Sequence, residues 1–142
     1  MKLEISQQLL DQIHAHGEAA YPAEGAGFML GNVNGDLRLV TAILKLSNAR
    51  EESAQHNRYL LTPQDVLHSE QEAAQRGLDV IGVFHSHPDH PNQPSEFDRE
   101  WAMPWFSYII TNVNNGKAVK SRSWRLADDR TAFVEETIQV SN

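Results

Sequence analysis

The sequence predicts an α+β fold, a mixed and largely antiparallel sheet flanked by helices, in a single domain over residues 1–142. Three observations lead there. Two Asn-Gly pairs, Asn34-Gly35 and Asn115-Gly116, each separate two apolar stretches and read as hairpin turns. Segments beginning near Ser6 and Thr62 carry apolar spacing or capping signals of helices. Val80-Ile81-Gly82-Val83-Phe84 is almost continuously apolar, as in a strand buried on both faces. No linker, internal repeat or low-complexity segment divides the chain.

The elements follow in order. Ser6 to about Ala20 reads as a helix, with Ile5, Leu9, Leu10 and Ile13 at helical spacing and Tyr21-Pro22 ending it. Gly27 to Leu30 is a short strand with Glu24 at its entrance, and Leu37 to Leu46 returns. Ser47 to Asn57 is a polar loop and Tyr59-Leu60-Leu61 a brief strand. Thr62-Pro63-Gln64-Asp65 supplies an N-cap, a proline at the first helical position and an acid at N3, opening a helix that runs to about Arg76 and stops at Gly77. After the central strand come a short helix, Glu96 to Ala102, and a hairpin of Trp105 to Thr111 with Ala118 to Leu126. Thr131 to Val140 reads as an edge strand, and Trp101, Trp105 and Trp124 are assigned to the core.

Composition removes several function classes. With 142 residues, 40% hydrophobic and 22% charged, the chain can bury a core of its own. Zero cysteines exclude disulfides, a thiol nucleophile and a thiolate metal site. A formal net charge of −7 without a basic run argues against nucleic acid. No apolar run approaches the roughly 18 residues of a membrane span, and the first residues lack a signal-peptide hydrophobic region, so no membrane association and a cytoplasmic location are expected.

The chemistry starts where the central strand turns polar. In an extended chain residues i and i+2 share a face, so His85 and His87 can aim two imidazoles at one point. His14 and His16 have the same spacing, but on a helix it corresponds to about 200° of rotation and the rings diverge. Asp98 follows a loop carrying Pro91 and Pro94, at the start of a helix that can fold back toward the two histidines. Two histidines and one carboxylate leave a fourth position open, as in catalytic rather than structural zinc sites. Ser95-Glu96-Phe97-Asp98 is equally a capping-box variant, and both readings can hold together. His85 through His90 also spells the His-x-His-x-Asp-His of metallo-β-lactamases, but that fold draws on further histidines downstream and none follows His90. Asp89 and His90 are then loop residues, beside a substrate or exposed. His56 and His68 receive no role.

The run from His85 to Asp98, His-Ser-His, seven residues, Ser, two residues, Asp, resembles the signature of the JAMM (MPN+, Mov34-type) zinc metalloproteases. Glu24, within Tyr21 to Gly31, is similar to the upstream glutamate those enzymes require. The resemblance covers most of the chain and implies a cytidine-deaminase-like architecture, a curved sheet flanked by helices. It implies Zn2+ held by His85, His87 and Asp98, with Glu24 as general base and then general acid. Ser95 would help stabilise charge on the carbonyl oxygen. The implied reaction is cleavage of a peptide or isopeptide bond after the C-terminus of a ubiquitin-like or sulfur-carrier protein, whose Gly-Gly tail could lie along a sheet edge. The loops at 47–57 and 89–94 are expected to set selectivity. A non-catalytic MPN-type binding or scaffold module is the alternative, and a zinc hydrolase of a small amide a third reading. Oligomeric state is left open.

Overall fold

The computed structural model describes residues 1–46 and 61–142. The loop expected at 47–57 and residues 59–60 of the expected brief strand lie outside the described residues. In chain order the elements are β1 (Lys2–Ser6), α1 (Gln7–Ala20), β2 (Ala26–Asn34), β3 (Leu37–Leu46), α2 (Pro63–Gln75), β4 (Asp79–Pro88), α3 (Glu96–Trp101), β5 (Ser107–Asn114), β6 (Lys117–Leu126) and β7 (Phe133–Ser141).

The strands close into a mixed barrel in the order β1-β3-β2-β4-β5-β6-β7, which corrects the expected sheet flanked by helices. Closure depends on β1, read in the sequence as the approach to the first helix. It pairs in parallel with β3 on one side and β7 on the other. β7 is therefore not an edge strand. The physical reason is ambiguity in a short run: Ile5 is in helical register with Leu9, yet Leu3 and Ile5 also alternate with polar residues and are both fully buried. Closure covers the sheet margins only where these pairings run, since β1 meets β3 at Leu37 to Leu39 and β7 meets β6 at Ser123 to Leu126.

β4 sits in the middle and is buried over nearly all its length, as its apolar run predicts. It pairs antiparallel with β2 and parallel with β5. One cluster, with Leu10 and Ile13 of α1, packs on Met29, Phe84 and Ile109. A second gathers Phe28, Val83, Phe106 and Tyr108, with Val66 of α2 against it. Successive β4 residues thus serve opposite faces.

Local signals place the elements well. Ser6 caps α1, its hydroxyl accepting from the Leu9 amide at 3.2 Å. Gly77, at φ +68°, follows α2 where a left-handed residue is needed. Asn115 and Gly116 form the β5–β6 turn with φ of +51° and +83°. The first hairpin turns one residue later than its Asn-Gly pair suggests, on Gly35-Asp36, because Asn34 still pairs with Leu37. The tryptophan assignment needs correction: Trp101 and Trp105 are 67% and 63% exposed. Trp101 ends a short helix beside Phe97, and Trp105 lies in the turn before β5, so neither is backed by a second layer. Among the described residues no helix is long and apolar enough to cross a membrane.

Candidate metal centre

His85 and His87 end β4 where pairing with β2 stops: Ala26, the first residue of β2, is partnered with His85. From Val83 onward, alternate residues face α3, so both imidazoles reach the same point. Their Nε2 atoms lie 3.2 Å apart. Asp98, on the first turn of α3, brings Oδ1 to 3.2 Å from His85 Nε2 and Oδ2 to 3.1 Å from His87 Nε2. Donors about 2.0–2.1 Å from a tetrahedral ion lie about 3.3–3.4 Å from each other, so the observed spacings come close to the coordinated arrangement. His85, His87 and Asp98 are all buried and could hold a metal ion.

The tautomer of His87 supports the fit. Its Nδ1 lies 2.7 Å from the Pro91 carbonyl oxygen, an acceptor only, so Nδ1 carries a proton and Nε2, which faces Asp98 Oδ2, is the nitrogen left for a metal ion. Burial disfavours charge on Asp98, but His85, His87 and the Ser95 amide outweigh it and hold the carboxyl well below its usual range. Burial pushes His85 toward its neutral form, against the pull of Asp98. Neutral imidazole and ionised carboxylate are the forms a divalent ion binds.

Ser95 serves as cap and lines the site. Its hydroxyl accepts from the Asp98 amide at 3.1 Å, and its own amide donates to Asp98 Oδ2 at 2.8 Å. The capping reading of Ser-x-x-Asp is met in a geometry that still turns the Asp98 carboxylate toward both imidazoles. The cap uses a lone pair of the Ser95 oxygen and leaves its proton to donate elsewhere.

Glu24, 4% exposed, lies just before β2. It lines a cleft of about 310 Å³ together with His87, His90, Pro91, Pro94 and Ser95. The cleft thus joins Glu24, Ser95 and a metal-ligating candidate, although they come from three separate parts of the chain. His90 lines it and Asp89 does not. What crowds Gly25 is α1 rather than the metal site: a Cβ there would stand 3.0 Å from Ala20 Cβ and 3.2 Å from the His16 backbone oxygen. A larger apolar cavity of about 540 Å³ lies on another side of α3, lined by Phe28, Val66, Phe97, Trp101 and Tyr108.

Residues outside the expected site hold these parts in place. Ser86, between the two histidines, faces α1; its hydroxyl accepts from the Gly25 amide at 2.8 Å, and its amide donates to the Gly25 carbonyl at 2.9 Å. Alternation along β4 already put Ser86 on the opposite face, but its partner needed the fold. Asn92 ties the loop after β4 to the barrel, donating to the Lys120 carbonyl at 3.2 Å and accepting from the Trp124 indole at 3.1 Å. The Tyr21 hydroxyl donates to Asp89 Oδ2 at 2.6 Å, which lowers the Asp89 carboxyl and raises the Tyr21 phenol from their ordinary values. His14 and His16 diverge as expected, His14 to Ser121 and His16 to the Ala26 carbonyl.

The chain is similar to several known proteins. The family described as prokaryotic homologs of the JAB domain matches residues 6–127. A desampylase from Haloferax volcanii is 32% identical over 114 residues, 77% of this chain and 79% of that protein. A probable TtuB-protein conjugate cleaving protease from Thermus thermophilus is 28% identical, over 82% of this chain and 74% of its own. Among solved structures, a protein from Salinibacter ruber is 42% identical with a TM-score of 0.76, covering 100% of this chain and 92% of that one.

Proposed function

Because the chain belongs to the family of prokaryotic JAB-domain homologs, we propose that it is a zinc-dependent peptidase or isopeptidase cleaving an amide bond after the C-terminus of a ubiquitin-like or sulfur-carrier protein. The observation that carries this reading is the buried convergence of His85, His87 and Asp98 beside a cleft that Glu24 and Ser95 also line. Zinc suits two neutral imidazoles and one carboxylate, and when bound it supplies Lewis acidity that makes water nucleophilic near neutral pH and polarises an amide carbonyl. The protein's own residues do the rest.

Glu24 accepts a proton from the water as its oxygen attacks the carbonyl carbon, and delivers that proton to the nitrogen as the carbon–nitrogen bond breaks. The Ser95 proton, not needed by the cap, donates to the carbonyl oxygen as negative charge gathers there. Asp98 and the Pro91 carbonyl fix the His87 ring, so nothing in the ligand set has to reorganise during the reaction. β1 pairs with β3 only at Leu37 to Leu39, so the later part of β3, which ends opposite Ala26, keeps a flank along which an extended tail could lie. An extended tail rich in glycine fits the narrow cleft between Glu24 and the 90–95 loop, where a bulky side chain would have to be accommodated by Pro91 or Pro94.

The test is a cleavage assay on carrier proteins with a ubiquitin-like fold, fused through a C-terminal Gly-Gly to a peptide, combined with metal analysis. Glu24→Gln is expected to keep one zinc per chain and lose about 10²–10⁴-fold in kcat. His87→Ala is expected to lose both zinc and turnover. Equal turnover in Glu24→Gln and wild type removes the mechanism. Tight carrier binding without cleavage by the zinc-loaded protein selects the scaffold reading, and cleavage of small amides alone selects a small-amide hydrolase.

A further inference from the structure

The two walls of the cleft are joined just past the strand end that carries His87. Glu24 lies in a short segment pinned at one end, where Gly25 exchanges two hydrogen bonds with Ser86 of β4. At the other end stands Tyr21, which closes α1, its hydroxyl 2.6 Å from Asp89 Oδ2. Asp89 is itself firmly placed. Its Oδ1 accepts from the Asn115 amide at 2.9 Å, and its own amide donates to the Val113 carbonyl at 2.8 Å. It adopts φ +57°, a left-handed conformation that aspartate tolerates better than most residues. Directly before it stand Pro88 and His87, and directly after it begins the stretch containing His90, Pro91 and Pro94 that forms the opposite wall.

We propose that Asp89 is a positioning residue for the reaction proposed above: through Tyr21 it fixes the Glu24 segment relative to the strand end that bears the metal ligands. This inference rests on the hydrolase reading for its catalytic consequence, but not for its structural one. Without the Tyr21–Asp89 bond the segment keeps its backbone anchors, the Tyr21 amide on the Gly17 and Glu18 carbonyls, the Ala23 amide on the Ala20 carbonyl at 2.8 Å and the two Gly25–Ser86 bonds, but loses its direct tie to Asp89. A drift of the segment relative to the strand end displaces the Glu24 carboxylate from the attacking water, and a displacement of about 1 Å in a catalytic group can cost about 100-fold in rate.

The experiment compares wild type with Tyr21→Phe, Asp89→Gly and Asp89→Asn, all zinc-loaded and assayed well below their melting temperatures. Tyr21→Phe removes one hydroxyl and is expected to lower kcat at least about tenfold, with KM and zinc content unchanged. Asp89→Gly accepts the positive φ and loses both side-chain bonds; it should be at least as slow. Asp89→Asn keeps an acceptor and should recover part of the rate. Exchange of the Glu24 and Gly25 amides, followed by NMR, should accelerate in Tyr21→Phe. Wild-type kcat in Asp89→Gly would mean that only the backbone conformation matters, and unchanged turnover and exchange in Tyr21→Phe would equally overturn the proposal. If even the wild type cleaves no carrier, exchange alone decides: faster exchange upholds the tie while the hydrolase reading fails, and unchanged exchange overturns the tie.

Discussion

Two helices of this protein begin with the same four-residue device. In α2, Thr62 accepts from the Asp65 amide at 3.1 Å and donates its own amide to Asp65 Oδ2 at 3.0 Å. In α3 the corresponding distances between Ser95 and Asp98 are 3.1 and 2.8 Å. Locally the two are interchangeable. They differ in what meets the second carboxylate oxygen: Asp65 is only half-buried on a helix flank, whereas Asp98 is buried with Oδ1 against His85 and Oδ2 shared with His87. A capping box consumes one oxygen of its acid and fixes the other in space, so it can serve as a rigid mount for a metal-ligating carboxylate at no cost to the helix.

The comparison can be broken most severely at the two acids. Asparagine can still accept the N-cap amide bond but cannot carry the charge. Asp98→Asn should therefore weaken zinc binding by at least about 100-fold and abolish measurable turnover, while Asp65→Asn leaves both at wild type; competition with a chromogenic chelator and the cleavage assay read the pair. The cap hydroxyls sharpen it next. Glycine replaces serine or threonine as an N-cap at a cost of only a few tenths of a kcal/mol. Ser95→Gly should nevertheless lower kcat by about 10²–10³, the usual consequence of losing an oxyanion donor, with no matching change in Thr62→Gly. A Ser95→Gly enzyme of wild-type kcat would confine Ser95 to capping. The smallest effect is purely structural: Thr62→Ala should cost about 1 kcal/mol in urea unfolding and change no kinetic constant.

The same pair shows what the sequence could and could not reveal. Ser95-x-x-Asp98 and Thr62-x-x-Asp65 are indistinguishable as patterns, and only the His-x-His at the end of an apolar run assigns them different work. That run was legible because β4 is buried on both faces and shows continuous hydrophobicity. Pairing of Ala26 with His85, which brings the Glu24 segment to the site, is a contact between strands far apart in the chain and leaves no local trace. The family resemblance pointed to Glu24 but not to this pairing. Barrel closure was missed for a similar reason. β1 is five residues long, its pattern is shared with the helix that follows, and its partners lie in β3 and at the far end of the chain. In β7 the burial runs against hydrophobicity: Val134 and Val140 are exposed, while Glu136 is buried with Arg125 at 2.6 Å and Ser123 at 2.7 Å. A polar pair satisfied inside a barrel looks, in sequence, like a solvent-facing strand.

The parallel docking of β1 between β3 and β7 also dictates when the molecule can finish assembling. β1 is made well before β7, one of its two neighbours, and about 135 positions separate Lys2 from its partner Thr137. During synthesis the first strand must wait with one flank bare, and the strand that carries His85 and His87, threaded between, can be complete before the ring around it exists. Such an order favours late, all-at-once consolidation and leaves any chain cut short of β7 with two open, adhesive margins, one on β1 and one on β6.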